Sequence, residues 1–215
     1  MNNKTTHIVL GVMLVVAVFA SAYAYTVLPD RVASHWNASG VADGYMGKFW
    51  GMFLLPLIMV GVFLLYLVIP KIDPMKANIE SFRGYYNGFW VALFAFFLYI
   101  HKLTLAWNLG YRFNFATFMV PALAVLWFFI GIFLEHSKRN WFVGIRTPWT
   151  LSSDVVWNKT HALGGKLFKL AAVVSLAGLV VPGEVAILAF VAAPAFAIAL
   201  VTIVYSYIVY RQEDR

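Results

Sequence analysis

The chain has no cysteine and few charged residues, and both shortages limit the classes of protein to which it can belong. Without cysteine there is no disulfide, no thiolate nucleophile and no cysteine-bound metal. Only 12% of its 215 residues are charged, whereas a soluble domain carries about 25%. So few charges could not cover a body of this size in water. The composition therefore excludes an ordinary soluble domain.

Patterns typical of catalysis are also missing. The sequence contains no His-Glu-x-x-His zinc motif, no Gly-x-Ser-x-Gly nucleophile turn and no phosphate-binding glycine loop. His35 with Asp43, and His136 with His161, lack the spacing that is typical of metal ligands. We therefore expect no enzyme activity, no catalytic residue, no cofactor and no bound metal.

The sequence consists largely of six long apolar blocks. Hydrophobic residues make up 62% of the chain, and the mean hydropathy is +0.80. The blocks span residues 7–27, 50–69, 87–107, 115–134, 167–182 and 185–209. Each is close to the roughly 20 residues with which a helix crosses the hydrocarbon core, although the fifth is short. The pattern predicts an all-α, polytopic protein with six transmembrane helices, one domain in contact with the lipid bilayer, and no carboxylate inside a span.

The first and last blocks carry features of their own. Lys4 precedes the first block, and Ala-Ser-Ala at residues 20–22 resembles the cleavage site of a signal peptide. Because the apolar run continues through Leu28, we expect a transmembrane helix there. The last block contains Pro194, which predicts a kink or tilt, and Pro-Gly at residues 182–183 before it predicts a tight turn.

The basic residues are distributed unevenly between the two sides of the predicted bundle. With the amino terminus in the cytoplasm, twelve Lys and Arg fall on cytoplasmic segments, three on outer segments and one, Lys102, within the third span. Basic residues favour the cytoplasmic side of a membrane protein, so this bias predicts that both termini are inside. It also accounts for the formal charge of +7, and we expect no direct nucleic acid binding.

The outer loop of residues 28–49 is more patterned than a connector needs to be. Gly40 supplies backbone freedom for a turn. His35, Trp36 and Asp43 are the side chains in this loop that are best suited to bind a partner. The alternative is a compact cap in which His35 and Trp36 pack over the helix ends.

The cytoplasmic loop of residues 135–166 is the second patterned segment. Ser152 or Ser153 can cap a helix in which polar and apolar residues recur at spacings of three and four. This predicts a short amphipathic helix that lies on the membrane, and Gly-Gly at residues 164–165 permits a bend or a close helix contact where it enters the fifth span. The candidate interaction residues are Arg146, Thr147, Trp149, Trp157, Lys159 and His161. The alternative is simple anchoring of basic residues at anionic headgroups.

Both loops resemble those of one family. Gly-Ile-Arg-Thr-Pro-Trp-Thr-Leu-Ser at residues 144–152, Val-Trp-Asn-Lys-Thr-His at 156–161 and Gly-Gly-Lys at 164–166 closely resemble the SdpI-type immunity protein family. The outer loop, with Leu-Pro-Asp at 28–30 and His-Trp-Asn at 35–37, resembles the small domain that this family carries after its first helix.

The resemblance covers most of the chain and implies a function. It implies a multi-pass protein of the bacterial cytoplasmic membrane that protects the cell from a secreted toxic peptide of the sporulation-delaying type. In the founding system the immunity protein also holds a transcriptional repressor at the membrane. A relay to such a cytoplasmic repressor is a further expectation, and it need not extend to every relative.

Two polar residues inside the third predicted span keep other functions open. His101 and Lys102 are ionisable, and such residues within a membrane are functional candidates, although Lys102 can extend to the outer interface. A small transporter or efflux component would use the six helices to frame a pathway. A membrane enzyme would depend on His101 and the loop histidines. We predict the immunity function and keep these two as alternatives.

Overall fold

Six long helices form the body of the protein. The computed structural model describes residues 2–180 and 188–213, and within them six helices are long and apolar enough to cross a membrane. They are α1 (Asn3–Val27), α2 (Lys48–Ile72), α4 (Arg83–Asn108), α5 (Phe115–His136), α7 (Asp154–Leu176) and α8 (Ala193–Glu213). Between them lie the strands β1 (Arg31–Trp36) and β2 (Ala42–Gly47) and the short helices α3 (Lys76–Ser81) and α6 (Pro148–Ser152). The prediction of six apolar helices of membrane-spanning length is confirmed.

The last two long helices have irregular ends. A 3-10 turn at Ala177–Leu179 continues α7, and a π-helical turn at Leu188–Ala192 precedes α8. Pro194 lies in the first turn of α8, directly after this π-helical turn, which is where the proline predicted an irregularity. The predicted turn at residues 182–183, and the predicted span ends at 182 and 185, lie outside the described residues.

Helix α7 is the main departure from the predicted spans. It begins at Asp154, far before residue 167. Ser153 Oγ caps it by accepting hydrogen bonds from the backbone N–H groups of the next turn, so the predicted cap position is correct. The helix then continues without a break to Leu176. The prediction of a separate amphipathic helix on the membrane is therefore wrong, and of the two roles predicted for residues 164–165, a bend or a close helix contact, the structure shows the close contact.

The glycines of α7 permit close packing and do not bend the helix. A Cβ atom added to Gly165 would lie 2.7 Å from Gly131 O, and one added to Gly131 would lie 2.7 Å from Gly165 O. Small residues at a crossing let two helix backbones approach closely. The crossing brings α7 against α5 and buries the face of α7 that contains Trp157 and His161.

The loop after α1 folds into an antiparallel hairpin of β1 and β2. Its pairing runs from Arg31 opposite Gly47 to Trp36 opposite Ala42, with irregularities around His35. The fold is therefore helical with a small β-hairpin, and the prediction of an all-α protein is wrong in this respect. β2 has the sequence Ala-Asp-Gly-Tyr-Met-Gly. Because Gly, Asp and Ala are poor strand formers, this composition does not predict a strand.

Asn108 at the end of α4 fixes the hairpin on the helices. Its side chain accepts a hydrogen bond from Ala33 N–H at 2.8 Å and donates one to Ala33 O at 3.0 Å. Asn114, in the loop before α5, donates from Nδ2 to Ser39 O at 2.8 Å. The turn of the hairpin uses a positive φ of +74° at Gly40, a conformation that glycine adopts at low cost.

The bundle has two polar ends and an apolar flank. The hairpin end carries β1, β2 and residues 109–114, and the motif end carries α3, α6 and residues 137–153, which we call the motif segment. An aromatic core that includes Tyr66, Tyr86 and Phe94 lies between α2 and α4. Large side chains such as Phe19 and Phe196 are exposed around the flank. Hydrocarbon, unlike water, is a suitable solvent for such a surface.

Candidate functional site

The motif segment is an ordered cap over the motif end of the bundle. The buried Asn140 side chain organises its first turn. Asn140 Oδ1 accepts hydrogen bonds from Phe142 N–H and Val143 N–H, and its Nδ2 donates to the carbonyl oxygens of Lys138 and Val143. The side-chain amide of Asn140 thereby uses both of its N–H donors and its oxygen on partners within three positions along the chain. The Asn140 side chain therefore stabilises this turn of the chain.

Asp73 connects this turn to the end of α2. Its carboxylate is buried, with Oδ1 accepting from Met75 N–H at 2.6 Å and Oδ2 accepting from Trp141 N–H at 2.9 Å. Two backbone N–H donors compensate a buried carboxylate. Sequence reasoning missed Asp73 and Asn140 as structural residues. The Asp-Pro dipeptide at residues 73–74 is a turn signal that could have pointed to Asp73.

Trp157 and His161 form the buried centre of the site. Their rings stack with centroids 3.9 Å apart and planes 15° apart. Trp157 Nε1 donates to Ser137 O at 3.1 Å, and His161 Nε2 accepts from Ile145 N–H at 2.9 Å. His161 Nδ1 lies 2.9 Å from Trp157 O, which can only accept. The ring therefore carries its proton on Nδ1 and is neutral.

Gly144 allows the backbone of the motif segment to lie directly against these two rings. Its φ of +119° lies in the region that favours glycine. A Cβ atom at this position would lie 2.6 Å from His161 Nε2 and 3.1 Å from Trp157 Cη2. Both the backbone conformation and the space therefore require a residue without a side chain.

The carboxyl-terminal part of the motif segment binds α8. Thr147 caps α6 in a capping box with Thr150, and its Oγ1 lies 3.0 Å from Ser206 Oγ of α8. The Trp149 ring packs against Tyr207 with centroids 5.1 Å apart. Thr147 and Trp149 thus pack the motif segment against α8, while Trp157 and His161 of α7 are buried beneath its first part.

Arg146 and Lys159, in contrast, are exposed. Arg146 Nη1 donates to the backbone oxygen of Trp141 at 2.7 Å, and the Trp141 and Phe142 side chains are exposed in the same segment. The predicted set therefore divides into residues that build the cap and residues that remain accessible to a partner.

The hairpin end carries the other predicted set. His35 Nδ1 lies 2.5 Å from Asp43 Oδ1 across the hairpin, and their side chains are 70% and 45% exposed. Trp36 is half-buried, stacked on Phe115 at 4.0 Å and in edge contact with Trp107 at 5.7 Å. Trp36 is therefore part of a packed cap, as the alternative interpretation expected, while His35 and Asp43 face outward.

A cleft of about 380 Å³ opens beneath the hairpin. Residues of β1, α4 and α5 line it, among them His35, Trp36, Thr104, Phe115 and Met119. Trp36 Nε1 is buried without a hydrogen-bond acceptor among the described residues. The cleft combines apolar walls with a few polar groups, which is the usual composition of a binding site.

The two polar residues of the third predicted span point in different directions. His101 is buried, and its Nε2 lies 2.8 Å from Ser21 Oγ, which itself donates to Met52 O at 2.7 Å. It thereby connects α4 to α1 and α2. Lys102 is exposed on the flank.

An ion pair between α5 and α7 was not predicted. Lys169 Nζ lies 2.7 Å from Glu135 Oε1 and 2.8 Å from Oε2. Because α5 extends to His136 and α7 begins at Asp154, both residues lie within long helices. Glu135 lies one residue beyond the predicted span of residues 115–134, which itself holds no carboxylate. The two residues are 34 positions apart, so no local spacing could have shown the pair.

Comparison with known proteins finds a family whose model matches the carboxyl-terminal part of the chain. The model of the SdpI/YfhL protein family matches residues 137–206, which contain the motif segment, α7 and most of α8. Over these residues the chain is similar to the SdpI/YfhL protein family. A domain of unknown function, DUF1648, matches residues 12–60, which contain the hairpin. The resemblance to the SdpI-type family and its small amino-terminal domain is confirmed.

A curated relative extends the match. The chain is 23% identical over 157 residues to the "Immunity protein SdpI" of Bacillus subtilis (strain 168), covering 73% of this chain and 72% of the relative. No solved structure matches the chain. With its six apolar helices and this SdpI/YfhL similarity, the chain is a multi-pass bacterial membrane protein. The SdpI/YfhL match begins at residue 137, at the start of the motif segment.

Proposed function

We propose that this protein is a membrane immunity protein that protects a bacterium against a secreted toxic peptide. The observation that carries the proposal is its similarity to "Immunity protein SdpI" over 73% of its length. The motif segment supports it, because the family match includes this segment and its side chains form a specific, packed cap. A mere connector between two helices would not need such a cap.

We further propose that both termini, and with them the motif end, face the cytoplasm. The basic residues support this orientation, since twelve Lys and Arg belong to the motif side of the chain and three to the hairpin side. The hairpin and its cleft then face the outside. A secreted peptide that approaches the membrane meets this surface first.

The cleft beneath the hairpin is the proposed toxin contact. Its apolar wall of Phe115 and Met119 suits an aliphatic or aromatic side chain of the peptide. The exposed His35, which lines the cleft, and its partner Asp43 supply polar contacts at the rim.

The accessible residues of the motif end are the proposed contact for a cytoplasmic partner. Trp141, Phe142, Arg146 and Lys159 present aromatic and basic groups together, a combination that is enriched in protein interfaces. If the protein relays a signal to a transcriptional repressor, this surface is where the repressor would bind. Replacing Arg146 with Ala would then weaken the relay without changing the buried Trp157–His161 centre.

Expression in a toxin-sensitive strain tests the main proposal. We expect cells with the native chain to survive a challenge with a sporulation-delaying-type peptide, and cells with the double variant His35→Ala, Asp43→Ala to lose much of that survival. Lys71→Ala, an exposed change at the motif end, is the matched control. Membrane levels of each variant are measured by immunoblot.

Two outcomes would count against the proposal. Failure of the native chain to raise survival against any related toxin would remove the immunity function. Flux of a substrate through proteoliposomes that contain the purified chain would instead favour the transporter alternative.

A further inference from the structure

A groove between α1 and α4, on the flank near the hairpin end, takes no part in the proposed function. It encloses about 530 Å³, and its lining includes Val16 and Ala20 of α1 and Ala95, Leu98, Lys102 and Ala106 of α4. The small alanine side chains leave the groove deep, and nearly all of its surface is apolar.

The groove has the length of a lipid chain. Its lining on α4 extends from Ala95 to Leu109, which corresponds to about 21 Å at 1.5 Å per residue. One leaflet of a bilayer contributes about 15 Å of hydrocarbon, half of the total thickness of about 30 Å. An acyl chain of the adjacent leaflet can therefore lie along the groove.

Lys102 places an uncompensated positive charge beside this hydrocarbon surface. It is exposed, and within residues 2–180 and 188–213 no carboxylate forms an ion pair with it. It lies six residues before the end of α4 at Asn108, about 9 Å along the helix axis. A lysine side chain at this depth extends its ammonium toward the headgroup region while its methylenes stay in hydrocarbon.

We propose that this groove binds an anionic phospholipid, with one acyl chain along α1 and α4 and the phosphate on the Lys102 ammonium. Basic groups at clefts between transmembrane helices suit anionic headgroups. The phenol of Tyr111, which lines the same groove and is strongly exposed, supplies a second donor to the headgroup. A zwitterionic lipid is bound less well, because its own cation opposes Lys102.

Lipid binding to the purified full-length protein tests the proposal. In detergent, dioleoylphosphatidylglycerol should raise the thermal unfolding midpoint of the native protein, and dioleoylphosphatidylcholine should raise it less. Lys102→Gln should weaken phosphatidylglycerol binding, measured by native mass spectrometry, by about fivefold, which corresponds to the loss of one surface cation. Lys71→Gln removes the same charge outside the groove and should bind like the native chain.

A second variant and a second probe distinguish the contribution of the acyl chain to binding from that of the headgroup. Ala106→Phe fills the groove and should weaken binding of both lipids, whereas inorganic phosphate alone should leave the unfolding midpoint unchanged. Equal binding by Lys102→Gln and the native chain, equal effects of the two lipids, or a shift produced by phosphate alone would each overturn the proposal. If Ala106→Phe does not fold, phosphatidylglycerol binding by Lys102→Gln, an exposed substitution, still tests the proposal.

Discussion

His161 has both ring nitrogens engaged, with Nε2 accepting from Ile145 N–H and Nδ1 donating to Trp157 O. We expect His161→Ala to destabilise the protein by about 1–3 kcal/mol, because it removes a fully buried side chain and leaves the partly buried Ile145 N–H without its acceptor. Thermal unfolding in detergent measures this change. Lys159→Ala, an exposed substitution on the same helix, should leave the midpoint unchanged. Equal midpoints for both variants would show that His161 does not hold the cap.

Gly144 contributes through the shape of the backbone. We expect Gly144→Ala to cost about 1–3 kcal/mol, because its φ of +119° is strained for alanine and the added Cβ would contact His161 Nε2. Limited proteolysis should then cut the motif segment faster than in the native chain. At Gly84 a Cβ would meet nothing within 4 Å, so Gly84→Ala is the matched control. Unchanged cleavage in Gly144→Ala would contradict the close fit of the segment.

For single residues, the sequence predicted interaction candidates but not their burial. Trp157 and His161 were identified as interaction candidates, yet they are buried, and only the fold shows that they pack against the segment that precedes them. Asp73 was missed because its partner, Trp141 N–H, lies 68 positions away. Contacts over such separations leave no local pattern.

Among the secondary-structure elements, the crossing of α5 and α7 carries the least expected feature, the ion pair of Glu135 and Lys169 beside Gly131 and Gly165. We expect Glu135→Gln and Lys169→Met to destabilise the protein singly by more than about 1 kcal/mol, the upper range for an exposed pair. The double variant should lose less than the sum, because removing both partners leaves no unpaired charge. Unfolding midpoints of the four proteins form the double-mutant cycle, and strict additivity would show that the pair does not interact.

The transmembrane helices were predicted correctly where a long apolar run marks them. The prediction failed where the apolar run is short or is mixed with charged residues and glycines. Long runs of apolar residues determine the core of each span. The first half of α7 contains Lys159, Lys166 and two glycines, so it was taken for an interfacial segment. It is instead part of the long helix, because its buried face packs against α5 and its charged residues remain exposed.

For the whole molecule, composition and charge carry most of the information. A chain with 62% hydrophobic residues in six blocks can satisfy its backbone in lipid only as helices or a closed barrel, and the block lengths favour helices. The bundle could therefore be predicted from the sequence alone. The cleft beneath the hairpin could not, because it depends on how β1 packs against α4 and α5.

The orientation of the molecule determines whether this cleft can meet a secreted peptide, and the absence of cysteine makes it measurable. We expect Val41→Cys, at the exposed hairpin turn, to react with a membrane-impermeant maleimide in intact cells. Ser152→Cys, exposed in the motif segment, should react only after permeabilisation, because the basic residues hold that end inside. The native chain is an unreactive control. The reverse labelling pattern would place the cleft in the cytoplasm, where a peptide that acts from outside could not reach it.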